Sequence, residues 1–305
     1  MNKRGVNQVA SVHQRLLNMA RSSGRPFNEL LQYYAIERFL YRLSRSTHAG
    51  RFILKGALTL LVWQMPVTRP TRDIDLLGRL SNDLEAVRAV IVGICQQAVE
   101  DDGLTFDATT VTTQRTAEDA DYQGVRAPFL GYLGKARIPM QIDIGFSDVI
   151  TPAPIPVHYP AMLGQPSAEL MAYNRETSIA KKLEAMVSLG QLNSRMKDFF
   201  DIWLLARTYD FDARVLAEAI SRTFAQRQTP VQADPVCFTA SFARDAAKTA
   251  QWAAFISTSR LSDAPADFAE VVSAVQAFLE PVAQALVQHA EFAATWHSPG
   301  PWHQV

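Results

Sequence analysis

Two stretches of this chain read as strands with acid on one face. In Arg72-Asp73-Ile74-Asp75-Leu76-Leu77 the carboxylates stand at i and i+2, with Ile74 and Leu76 between and after them. Successive side chains on a strand point to opposite faces, so Asp73 and Asp75 share one face and the apolar residues take the other. Two carboxylates about 6–7 Å apart along a strand repel unless a cation lies between them. Gln141-Ile142-Asp143-Ile144 repeats the alternation, with Gln141 and Asp143 on one face and Met140, Ile142 and Ile144 on the other. An aspartate among isoleucines is costly to bury alone. Asp143 therefore has two readings: a third carboxylate beside the first pair, or the partner of a nearby Arg or Lys. Oxygen ligands with open positions suit Mg²⁺, which keeps waters and accepts substrate phosphates. Three converging carboxylates are able to hold two such ions.

The surroundings of these strands place them in an α+β arrangement. Helical patterns cover Val6 to Ala20 and Asn28 to Ser44; the second has Ile36, Phe39, Leu40 and Leu43 as its stripe and Arg38, Arg42 and Arg45 opposite. Phe52-Ile53-Leu54 is a short strand. Lys55-Gly56-Ala57 then turns the chain into a short helix that Pro66 ends, and such a Gly turn lets backbone N–H groups approach phosphate oxygens. Asp83 to Val99 is an amphipathic helix, and further strands follow near Leu104–Thr113, Gly124–Tyr132 and Ile138–Phe146. Prolines at 152, 154, 156 and 160 mark a boundary. Residues 1–150 thus form a mixed-sheet lobe with flanking helices. Residues 151–305 form a mostly helical lobe with a loose tail from Trp296 onward.

Charge is balanced, with 30 Lys+Arg against 30 Asp+Glu, so net charge alone predicts no nucleic-acid binding. Its distribution is uneven. From Met1 to Lys55 there are ten basic residues against two acidic, and from Asp73 to Asp121 eleven acidic against three basic. The basic region attracts a polyanion to one face, or is a set of solvated helix faces. Two scattered cysteines exclude a disulfide framework or a zinc site. No run of about 18 apolar residues is present, so no membrane span is expected and the cytoplasm is the default location.

The helical lobe offers cations and acids of its own. Ile179, Leu183, Met186 and Val187 form a packed face, with Lys182 at its edge and Lys181 nearly opposite and solvated. Asp198 and Asp201 lie at i and i+3 on an otherwise apolar helix, so this acidic stripe faces something polar or cationic.

Together these motifs resemble the AbiEii-type nucleotidyltransferase toxins of the DNA polymerase β-like superfamily. The matching pieces run in order from Lys55-Gly56-Ala57 through Arg69-Pro70-Thr71-Arg72-Asp73-Ile74-Asp75 and Gln141-Ile142-Asp143-Ile144. They continue with Ile179-Ala180-Lys181-Lys182-Leu183-Glu184-Ala185 and Lys197-Asp198-Phe199-Phe200-Asp201. One departure is plain: many members carry a second Gly and then Ser or Thr where Ala57-Leu58 stand here. The resemblance implies a toxin of a toxin–antitoxin or phage-defence pair that moves a nucleotide from an NTP to an acceptor. The 3′ end of tRNA is the leading acceptor; a protein or small molecule, or an inactive nucleotide-binding module, is the alternative. By the same resemblance Asp73, Asp75, Lys182 and Asp198 would be catalytic. Lys55, Gly56, Ala57, Arg72 and Lys182 would bind nucleotide, and Asp73, Asp75 and Asp143 would hold Mg²⁺. The helical lobe would close the active-site cleft, and a neighbouring gene would encode the antitoxin.

Overall fold

Apolar residues recur at helical spacing between Phe27 and Arg45, and in the computed structural model they are the inner face of a helix lying on a sheet. The structure describes residues 3–65, 69–119, 122–261 and 263–304; Pro66 and Asp121, named above, lie outside them. The chain divides into two units, one of residues 1–147 and 155–172, the other of residues 148–154 and 173–305.

In chain order the first unit holds α1 (Lys3–Ser23), α2 (Phe27–Arg45), β1 (Phe52–Lys55), α3 (Leu58–Val62), β2 (Asp73–Gly78) and α4 (Leu84–Cys95). It continues with β3 (Leu104–Asp107), β4 (Gln114–Asp119), β5 (Tyr122–Leu133), β6 (Ala136–Gly145), β7 (Ile155–Tyr159) and β8 (Ala168–Ala172). The strands form one mixed sheet in the order β3-β5-β6-β2-β1-β8-β7, with β4 paired to β5. Strand β2 is antiparallel to β1 and parallel to β6. The even-numbered residues Ile138, Met140, Ile142 and Ile144 of β6 enter the core with Ile74 and Leu76 of β2. From α2, Tyr34, Ile36, Phe39, Leu40 and Leu43 pack on them, each with no exposed surface. Burying side chains of this size stabilises by about 1.5–3 kcal/mol each. Phe39 also meets Phe106 at 5.6 Å and Phe129 at 5.2 Å between ring centroids.

The prolines at 152–160 do not separate the two lobes as the sequence suggested. Residues 155–159 are β7, and β7 with β8 extends the first unit's sheet past β1. Pro156 is tolerated there because β7 is an edge strand, where a missing N–H costs no ladder bond.

Two of the three arginines on that face of α2 are not free: Arg38 and Arg42 are buried, while Arg45 is exposed. Arg42 donates two bonds to Asp102 at 2.7 and 3.0 Å, and Arg38 Nε lies 3.5 Å from the same carboxylate. Part of the basic–acidic asymmetry is therefore neutralised inside the unit. Beside Arg38, the buried Glu37 accepts the Met162 N–H at 2.6 Å. Burial pushes the Glu37 carboxyl up to about 7, against the lowering pull of the Met162 N–H and Arg38. In the unfolded chain this group titrates near 4.5, so the folded state binds the extra proton between those values. Stability from this group therefore falls as pH rises from about 4.5 to 7, by about 3 kcal/mol in all. Urea unfolding at pH 5 and pH 8 is expected to show that loss, and Glu37→Gln is expected to flatten it.

The second unit comprises α5 (Arg175–Leu189), α6 (Met196–Thr208), β9 (Phe211–Asp212), α7 (Ala213–Arg227), α8 (Ala240–Ala243), α9 (Ala246–Ser259), α10 (Phe268–Val287), β10 (Ala294–Trp296) and β11 (Trp302–Gln304). Residues 148–154 join it through α5. Thr151 and Thr177 exchange two hydrogen bonds of 2.9 Å, and Asn174, which caps α5, also donates to the Pro152 carbonyl at 2.5 Å. Helices α8 and α9 are separate because Asp245 caps a new start by accepting the Lys248 N–H at 3.0 Å. Nor is the tail loose. Strands β9, β10 and β11 form a small sheet. Trp296 donates to the Ala206 carbonyl at 2.7 Å, and Trp302 stacks on Phe278 at 5.6 Å.

Helix α10 is the one described helix long and apolar enough to cross a membrane, with a mean hydropathy of 1.2. The sequence reading expected no such run. Its Val271, Val275, Phe278, Leu279 and Val282 are buried, which marks α10 as a core helix.

Candidate functional residues in each unit

In the first unit, strand register assembles the candidate residues. Lys55 stands opposite Asp75, Asp75 opposite Asp143, and Asp143 opposite Arg126. One row across β1, β2, β6 and β5 therefore reads cation, carboxylate, carboxylate, cation. In the next row Asp73 faces Gln141. This is the face the alternation assigned to the acids, and Lys55, Asp73, Asp75 and Gln141 are all partly exposed on it.

The turn after β1 fits closely under Asp75. Gly56 has φ +71°, and a Cβ there would lie 2.0 Å from Asp75 Oδ2 and 2.7 Å from its Cγ. Only glycine allows both the backbone conformation and the carboxylate's position. Ala57 and Leu58 are buried, so their side chains belong to the core. The nearest hydroxyl, that of Thr59, donates to the Gly56 carbonyl at 2.7 Å. What the turn presents is therefore backbone. Arg72 is exposed just before β2. Helix α2 holds this lead-in: Gln32 donates to the carbonyls of Arg72 at 3.4 Å and Pro139 at 3.1 Å, and the Tyr33 hydroxyl accepts the Thr71 N–H at 3.2 Å.

Of the two readings of Asp143, the structure shows the ion pair. Arg126 donates to its two oxygens at 2.8 and 3.0 Å, and Gln141 adds a bond at 3.2 Å. A bidentate guanidinium balances the carboxylate's charge and takes one lone pair on each oxygen. Among the described residues, no group of three His, Cys, Asp or Glu side chains is placed to hold a metal ion. Asp143 thus stands in the row beside Asp75 with a guanidinium already on it.

In the second unit, Lys182 of α5 reaches α6. Its ammonium donates to Asp198 Oδ1 at 2.8 Å and to Asp201 Oδ2 at 2.7 Å. Arg195 Nε lies 2.7 Å from the other oxygen of Asp198. Both carboxylates are buried, at 1% exposure, while Lys182 keeps 17% of its side chain open. Burial alone would raise the pKa of Asp198, but the charges of Lys182 and Arg195 and the Lys182 hydrogen bond outweigh it and hold the group below the usual carboxylate range. The acidic stripe of α6 thus faces a cation. Lys181 is not solvated as expected. It pairs with Asp148 at 2.7 Å, where Tyr173 and Arg227 also donate, at 2.6 and 3.3 Å.

The first unit thus carries a helix-backed mixed sheet with paired aspartates beside a glycine turn, and the chain continues into a helical unit. The profile of the family described as "Nucleotidyl transferase AbiEii toxin, Type IV TA system" matches residues 38–277, and the chain belongs to that family. No curated protein matches it by sequence. Among solved structures it is similar to MenT4, a nucleotidyltransferase toxin from Mycobacterium tuberculosis H37Rv, with a TM-score of 0.51 and 16% identity over 93% of this chain and 99% of that one. It is also similar to a protein from H. pylori described as a nucleotidyltransferase, with a TM-score of 0.41 and 13% identity over 95% and 97% of the two chains. JHP933 from Helicobacter pylori gives a TM-score of 0.41 and 13% identity over 95% and 94%. At these identities the likeness is one of fold.

Sequence reasoning missed Arg126, Arg195 and Asp148. Arg126 was within reach, since it lies on a strand and shares parity with Pro128 and Leu130 of the same face. Arg195 and Asp148 sit in loops, where no periodicity marks a partner.

Proposed function

We propose that this toxin transfers a nucleotide from an NTP to the 3′ end of tRNA, with Mg²⁺, in the cytoplasm. The single observation that carries the reading is the bare Gly56 backbone against Asp75, beside a second carboxylate, Asp73, on the same strand face. Asp73 and Asp75 fit a Mg²⁺ ion that takes its remaining ligands from water and substrate phosphates, which is how Mg²⁺ is commonly bound. The ion would neutralise charge developing on the transferred phosphate. The turn at Lys55-Gly56-Ala57 offers backbone donors and a cation to phosphate oxygens, and Arg72 adds a second cation. Lys182 binds triphosphate oxygens, and Asp198 is the carboxylate that orients it. Asp143, held by Arg126, keeps the row in register. The acceptor hydroxyl attacks the α-phosphate and loses its proton to solvent; the bond between α- and β-phosphates breaks and pyrophosphate leaves. Catalysis is positioning and charge neutralisation. An antitoxin from a neighbouring gene opposes the activity, and phage defence is the setting.

Purified protein incubated with labelled NTP, Mg²⁺, total tRNA and total protein is expected to label the tRNA. Asp73→Ala is expected to abolish labelling, by at least a thousandfold, with an unchanged thermal midpoint. Retained labelling in that variant would overturn the site, and label on protein alone would overturn the acceptor.

A further inference from the structure

The first unit has a pocket of about 410 Å³ that begins at Asp73 and runs away from Asp75 along the open face of the sheet. That volume is within the range of small-molecule sites. Arg72, Arg137, Thr112, Pro128, Pro139 and Gln141 are among its walls. Strand parity explains it: Arg137, Pro139, Gln141 and Asp143 all occupy the odd, open face of β6, while the even residues are in the core.

Its chemistry suits a nucleic-acid strand. Arg72 and Arg137 are exposed. Neither guanidinium pairs with a carboxylate among the described residues, in contrast to the buried Arg38 and Arg42. Pro128, Pro139 and Leu130 give flat apolar surface between these charges. Tyr132, opposite Arg137 in register and on the same face, adds a ring. Cations for phosphates beside apolar and aromatic surface for unstacked bases are how single strands are held.

The location sorts donor from acceptor. Strand β2 lies between β1, which ends in the Lys55-Gly56 turn, and β6, which carries the pocket. In an in-line displacement the attacking and leaving oxygens lie on opposite sides of the phosphorus. We propose that this pocket seats the acceptor: a single-stranded 3′ end of RNA whose phosphates lie on Arg137 and whose bases lie on Pro128, Pro139 and, next to the pocket, Tyr132, with its terminal hydroxyl at Asp73. This rests on the transferase reading above and assigns Arg137 a role in choosing the acceptor.

The test is steady-state transfer with tRNA and NTP varied independently, comparing wild type, Arg137→Glu and Arg79→Glu. Arg79 is exposed just past the other end of β2, so its reversal makes the same change in net charge away from the pocket. Arg137→Glu is expected to raise the KM for tRNA about tenfold and to lower the salt dependence of tRNA binding by about one phosphate contact. The KM for NTP is expected to stay within about twofold, and Arg79→Glu to match wild type. If tRNA is labelled and the two variants behave alike, the acceptor pocket is overturned while the transferase reading stands. If wild type labels protein or a small molecule and no RNA, the pocket's assignment is overturned together with the tRNA acceptor.

Discussion

Gly56→Ala is expected to reduce nucleotide transfer by at least a hundredfold while leaving a folded, less stable protein. Two costs act together. A residue with a Cβ at φ +71° is strained by about 1–3 kcal/mol. The new methyl would also lie 2.0 Å from Asp75 Oδ2, so the carboxylate must move. Movement of about 1 Å in a positioned catalytic group costs on the order of a hundredfold in rate. Equilibrium unfolding and labelled-NTP transfer measured on one preparation separate the two effects. A variant with wild-type transfer would show that Asp75 is not held against the turn during catalysis.

Lys182→Met is expected to be the most destabilising of the single changes considered. It leaves Asp198 and Asp201, each 1% exposed, without the ammonium that bridges them. Removing one partner of a buried ion pair costs about 3–5 kcal/mol, and Arg195 offsets part of this at Asp198. The loss has a pH signature. In the wild type Asp198 is held below its usual range, so its contribution is present above about pH 4 and is lost as pH falls through the depressed value. In the variant burial dominates and the carboxyl favours its proton. The stability difference between the two is therefore expected to be largest near neutral pH and to shrink as pH falls toward 4, followed by chemical denaturation across that range. Adding Asp201→Asn to Lys182→Met is expected to recover stability without recovering transfer. A pH-independent difference would show that Lys182 acts by packing alone.

The parts of this fold that could be read from sequence were those with a period. Ile74 and Leu76 alternate with Asp73 and Asp75, and Ile142 and Ile144 with Asp143, because one sheet face is buried and the other is not. Such patterns carry both the strand and the identity of its open face. Strand β8 escaped notice because it is short and sits beyond a proline-rich segment, and β7 because Pro156 reads as a breaker unless the strand is known to be an edge. The partner of Asp143 depended on the register of β5 against β6. The partner of Lys181 lies 33 residues earlier in the chain, in a loop. The tail carried a signal that was passed over: Phe292, Trp296 and Trp302 are costly to leave in water, and they are what docks it.

The return of residues 155–172 to the first sheet bears on how such a toxin gene can be rearranged. The backbone passes from one unit to the other after Ser147, after Pro154 and after Ala172. An exchange point near residue 150 would separate β1 from β8, its parallel neighbour. The piece carrying Asp73 would then have a bare apolar edge strand, open to pairing with other chains. Recombination cannot swap the helical half as a cassette at that point. A viable chimera must keep the β7–β8 hairpin with the sheet that carries Asp73, and residues 148–154 with the helices, so an exchange needs more than one junction.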